Sequence, residues 1–101
     1  MNTLNRAKQL QNRTKKFAVH FIKVFARLPK DEARRIIGRQ SLRSGISLAA
    51  NYRASCRARS AADLISRISI VTDETDETLF WFEVLVGSEL VGPRMVKSLD
   101  R

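Results

Sequence analysis

The stretch LQNRTKKFAVHFIKVFARLP, residues 10–29, decides the fold. Within it Leu10, Thr14, Phe17, Phe21, Val24 and Leu28 follow one another at alternating steps of four and three. That spacing keeps every second turn of a helix on one side, the seam by which a helix packs into a bundle. Pro29 cannot continue the pattern, so a first helix is predicted over about 4–28. A second apolar stripe, Ala18, Ile22 and Phe25, flanks the seam. It is either a widening of the core face or a subunit interface.

Outward from this stretch the same periodicity continues, and no alternation of the strand type appears. Asp31 and Glu32 supply the acids that favour a helix start, which predicts a second helix over about 31–57. It is rich in small residues, Ser41, Ser44, Gly45, Ser47, Ala49, Ala50 and Ala54, which let neighbouring helices approach closely. Ser60 with Asp63 has the form of a capping box and opens a third helix over about 60–87. Its seam is Leu64, Ile68, Val71, Thr75, Thr78, Phe82 and Leu85. The connection near Arg59 is so short that the second and third helices must be antiparallel neighbours. Gly87 to Pro93 reads as a turn, with Pro93 at the first position of a short fourth helix over 93–101. The expected fold is an all-α, antiparallel up-down four-helix bundle in a single domain.

A chain of 101 residues with 44% hydrophobic and 29% charged residues has the composition of one folded domain. Its lone cysteine, Cys56, can form no internal disulfide and points to a reducing compartment; it is read as a small packing residue. The apolar run from Phe17 to Leu28 is interrupted by His20, Lys23 and Arg27, too charged for a signal-peptide core or a membrane span. A cytoplasmic protein is expected.

Charge is divided unevenly along the chain. Residues 1–59 carry fifteen Lys or Arg against Asp31 and Glu32 alone, a balance of +13, and residues 60–101 carry a balance of −4. The halves cannot neutralise each other, so a positive surface must remain. The cations are Arg6, Lys8, Arg13, Lys15, Lys16, Lys23, Arg27 and Lys30 on the first helix and its turn, and Arg34, Arg35, Arg39, Arg53, Arg57 and Arg59 on or beside the second. Surfaces built only for solubility mix both signs, whereas a one-signed cationic face suits the phosphates of RNA or DNA. Arg13, Lys15, Lys16, Lys23, Arg27, Lys30, Arg34, Arg35, Arg39, Arg53, Arg57 and Arg59 are therefore the candidate nucleic-acid contacts. No phosphate loop, RNA-recognition sheet signature or zinc finger is present, and Phe17, Phe80, Trp81 and Phe82 fall where the core is expected. Binding would thus be to backbone and shape.

If the second and third helices fold back on each other, Arg43 comes level with Glu74 and Glu77. Arg43, Ser47 and Asn51 share one helix face, and Glu74, Glu77 and Trp81 share the facing one, a structural polar network that fixes helix register. Paired carboxylates also invite a catalytic or metal reading. The only histidine, His20, is not in a Glu-x-x-His arrangement and no nucleophile triad assembles, so neither an enzyme nor a metal or other cofactor is expected. His20 is read as an interface residue.

The run Arg43-Ser44-Gly45-Ile46-Ser47-Leu48-Ala49-Ala50-Asn51-Tyr52, followed by Arg57-Ala58-Arg59-Ser60, resembles the R-x-x-x-S-I-x-x-N-I-A-E-G-x-x-R-x-S stretch of the 23S ribosomal RNA intervening-sequence protein family. Glu74-Thr75-Asp76-Glu77-Thr78-Leu79-Phe80-Trp81 is similar to that family's E-x-x-E-T-x-x-W segment, and the resemblance covers most of residues 13–91. Ala54 and Ser55 stand where the family has Glu-Gly, and the fourth helix is shorter than usual. The resemblance implies a ring-shaped homopentamer of four-helix bundles with no enzymatic activity. Proteins of the same fold serve diversity-generating retroelements, which adds a reverse transcriptase to the expected partners. The competing expectation is a protein-protein scaffold that binds no nucleic acid. No membrane partner is expected, since three mutually complementary helices make an autonomous fold.

Overall fold

In the computed structural model, residues 3–92 are described, with side chains from Asn5 onward. They form three helices and no strand: α1 (Thr3–Ala26), α2 (Glu32–Ser55) and α3 (Ala61–Gly87). The fourth helix expected over 93–101 lies outside the described residues.

Local chemistry sets each boundary. A residue before proline is pushed out of the helical region, and α1 stops at Ala26, closing with tighter bonds from Arg27 N to the Val24 carbonyl and from Leu28 N to that of Phe25 (3.1 and 3.2 Å). Asp31 is the N-cap of α2, its carboxylate accepting from Arg34 N at 3.0 Å. Ser60 caps α3, its hydroxyl accepting from Asp63 N at 3.0 Å. The return bond of this box differs from the usual pattern: the Asp63 carboxylate accepts from Arg59 N at 3.1 Å, one residue before the cap. The turn after α3 also departs from expectation. Gly87 remains helical, and the left-handed residue is Glu89 at φ 63°. Glu89 N bonds to the Val86 carbonyl and Leu90 N to that of Leu85, a Schellman ending sealed by Leu90 against buried Leu85.

Both capping carboxylates are held below their ordinary value of 3.8. For Asp31 the main cause is the bond from Arg34 N, and for Asp63 the bond from Arg59 N, each assisted by an arginine side chain. A carboxylate with a depressed native value contributes fully above its unfolded value and loses that contribution as pH falls through the native one. Helix content should therefore hold above about pH 4 and decline on further acidification. Carboxyl-carbon chemical shifts for the two residues should titrate with midpoints below 3.8, and midpoints at or above it would contradict the capping roles.

The core is small. Phe21, Phe25, Leu28, Leu85 and Val91 are buried, with Phe17, Ile37, Leu42, Phe82 and Leu90 packed against them. Rings make most of it: Phe21 stacks on Phe25 (centroids 4.8 Å) and on Phe82 (5.1 Å), and Phe17 meets both Phe21 and Phe82 edge-on. The small residues of α2 divide their labour. Gly38 and Gly45 receive the rings of α1, with a hypothetical Cβ on Gly38 lying 2.7 Å from the Phe25 ring. Ser44 faces α3, its hydroxyl 3.0 Å from that of Thr78.

The apolar stripes are only partly spent on this core. On α1, Phe25 of the second stripe is buried and Ile22 is exposed, so that stripe divides between core and surface. On α3 the seam holds at Thr78 and Leu85, but Leu64 and Ile68 are exposed. The rings of α1 reach α3 near its C-terminal end, at Phe82, and between residues 5 and 16 α1 has no apolar side chain apart from Ala7 and Leu10. The first turns of α3 therefore lack a cover.

Candidate nucleic-acid interface

The cations of α1 and α2 are placed by the same periodicity that buries their opposite faces. On α2 the buried residues Gly38, Ser41, Ser44, Gly45 and Ser55 define one side, and Arg35, Arg39 and Arg53 project from the other. Arg57 and Arg59 extend this line into the connection to α3, and no acid lies between residues 33 and 62. On α1, Lys15, Lys16, Lys23 and Arg27 point away from Phe21, with Arg13 beside them and Lys30 in the following turn. Eleven of the twelve candidate contacts are exposed.

Arg34 is the exception. It is half-buried, its Nε donates to the Leu90 carbonyl at 3.0 Å, and its guanidinium pairs with Asp31. Its work is structural: it ties the first turn of α2 to the segment after α3. An arginine among arginines carried no mark in the sequence to separate it, because the partner lies fifty-six residues away.

The facing polar residues of α2 and α3 assemble in part as read. Arg43 pairs with Glu77 and lies 3.6 Å from Glu74, and the Trp81 indole N–H donates to Glu77 at 3.1 Å. Ser47 and Asn51 do not join the carboxylates. The Asn51 amide instead donates to the Ser47 carbonyl and hydroxyl at 2.9 and 3.0 Å, within α2. The Arg43 side chain is half exposed, so this network borders solvent in the single chain. The bond between Ser44 and Thr78, which crosses the interface in full burial, was missed because a small residue next to a glycine reads as packing alone.

Two further placements, those of Cys56 and Phe80, differ from expectation. Cys56 is exposed, as the C-cap of α2, and is no packing residue. Phe80 is 54% exposed, because its step along α3 places it opposite the buried side, while Phe17, Trp81 and Phe82 are at least half covered. His20 is half-buried and borders a shallow surface groove with Asn12, Lys15, Lys16 and Val19. Among the described residues no three His, Cys, Asp or Glu gather as a metal site would require, and no helix is long and apolar enough to cross a membrane.

No family model matches the chain and no curated protein matches it. A solved structure does: a protein of unknown function from the S23 ribosomal protein family of Bacteroides thetaiotaomicron superposes with a TM-score of 0.81 at 29% identity, covering 92% of this chain and 83% of that one. At that coverage the match extends into all three helices. The chain is thus similar in fold and in sequence to the 23S ribosomal RNA intervening-sequence, or S23, protein family.

Proposed function

We propose that this is a non-enzymatic, cytoplasmic protein that binds RNA or DNA through phosphate contacts made by the outer faces of α1 and α2. The observation that carries the reading is the one-signed surface: eleven exposed cations on two neighbouring helices and the connections that follow them, with no acid interspersed after Glu32 until Asp63. Cations left without carboxylates repel one another, and a polyanion relieves that repulsion while releasing its own counterions. The binding unit is a homo-oligomer, read as a ring of five copies. What supports assembly is the stripe Ile65, Ile68, Leu79, Phe80 and Val86 on α3, exposed in the single chain and longer than the scattered apolar residues of a monomer surface. In this reading the protein is an accessory factor of a ribonucleoprotein or of a reverse transcriptase.

Affinity for generic RNA and single-stranded DNA should fall steeply with salt, by about three orders of magnitude between 50 and 200 mM if six phosphates are neutralised. Fluorescence anisotropy at those two concentrations measures it, and absence of binding at the lower one rejects the reading. Sedimentation velocity gives the copy number.

The apolar stripe of α3 also favours a second reading, a scaffold for another protein whose approach the positive charge accelerates. A partner retained after nuclease treatment would select it.

A further inference from the structure

The cationic surface is not uniform. Where α1 gives way to α2 it opens into a cleft of about 340 Å³, with Phe25, Leu28 and Leu42 on its floor and Lys30, Arg35 and Arg39 at its rim. The cleft follows from packing already described. The Phe25 ring occupies the place where Gly38 has no side chain, and the chain turns away at Pro29, leaving the ring and two leucines beneath an open mouth. Arg35 and Arg39 stand one helical turn apart on the exposed side, about 6 Å between their Cβ atoms. Neither pairs with a carboxylate of the described residues; Arg34, the fourth cation at this site, is held by Asp31 and Leu90.

An apolar floor inside a cationic rim asks for a ligand with a flat or hydrocarbon part between anionic groups. Duplex nucleic acid fails the first requirement, because its base faces are stacked inside and only their edges reach the grooves. A single turn of a helical acidic peptide, about 10–12 Å across and about 5.4 Å long, occupies more than about 400 Å³ and would not fit a cleft of about 340 Å³. An unpaired strand meets both requirements: its bases are free to leave the backbone, and each is flanked by phosphates whose spacing is comparable with that of Arg35 and Arg39. Resting on the nucleic-acid reading above, we infer that this cleft receives an unpaired base while Lys30, Arg35 and Arg39 hold its flanking phosphates, so that the interface selects single strands over duplexes. The floor carries no polar side chain to read a base edge, so the selection is for strandedness and not for sequence.

The test uses the full chain and three probes of equal length: an oligothymidine strand, the same backbone with abasic residues, and a duplex. At one low salt concentration the ordinary strand should bind about tenfold more tightly than the abasic strand, which has the same charge and no bases. A strand carrying 5-iodouracil should photocrosslink within residues 25–42. Equal affinity for ordinary and abasic strands, or a crosslink confined to other segments, overturns the cleft assignment and leaves phosphate binding intact. Failure of all three probes to bind overturns the underlying reading. Displacement of the strand from the cleft by an acidic amphipathic peptide that itself binds more tightly assigns the cleft to a protein partner and rejects the base site.

Discussion

Phe21→Ala should cost about 3–5 kcal/mol, the range for truncating a buried aromatic ring. Phe21 is 1% exposed and is the ring on which the others converge, stacked between Phe25 and Phe82 with Phe17 at its edge. Removing it leaves a cavity that Gly45 cannot help to fill, since that glycine's side of the ring, 3.3 Å from the place of a Cβ, is backbone. Domains of this size hold about 5–15 kcal/mol in all, so the variant would lose about a fifth of its stability or more. Its thermal midpoint should fall by about 12 °C or more. Denaturant unfolding followed by circular dichroism measures the change. A loss under about 1 kcal/mol would mean that the ring cluster is not the close-packed centre of the fold.

Gly38→Leu should destabilise by about 2–3 kcal/mol, although replacing a mid-helix glycine ordinarily gains about 1 kcal/mol. The sign is decided by space. A Cβ on residue 38 would lie 2.7 and 2.8 Å from two carbons of the Phe25 ring, and that ring cannot retreat because Phe21 is stacked against it at 4.8 Å. The helices must separate or the ring must leave its rotamer. Gly87 provides the comparison: nothing lies within 4 Å of its Cβ position and its φ is not positive, so Gly87→Ala should be neutral or stabilising by up to about 1 kcal/mol. Equal effects at the two sites in unfolding experiments would remove the steric account of α2's glycines.

The two variants act on different levels of the same design. Phe21 supplies the apolar area that drives α1 onto α2, and Gly38 supplies the distance at which they meet. That distance in turn shapes the cleft, because Gly38 and the Phe25 ring it receives both line it. Stability and the candidate ligand site are coupled through one ring.

The function read from charge rests on residues that the fold leaves unoccupied. Arg35, Arg39 and Arg53 are outward because Gly38, Ser41, Ser44 and Gly45 are inward, and the period of the helix permits nothing else. The same logic makes Arg43 a poor candidate for phosphate, since its turn of the helix brings it to Glu74 and Glu77.

Sequence alone determined the three helices, their antiparallel order, the cap at Ser60, the meeting of Arg43 with the α3 carboxylates and the positive sign of two helix faces. These depend on periodicity, short connections and residue type, which are local properties of a chain. It did not determine which apolar residues become core. Ile68 and Phe82 occupy equivalent positions on one seam, yet only Phe82 finds the rings of α1, and Ile68 is left to solvent. Nor did it separate Arg34 from its neighbours, place the left-handed turn at Glu89 beyond Gly87, or reveal the cleft beside Gly38. Each of these follows from where a second helix stops or how closely it approaches, and burial is a property of pairs of elements that only the tertiary structure assigns.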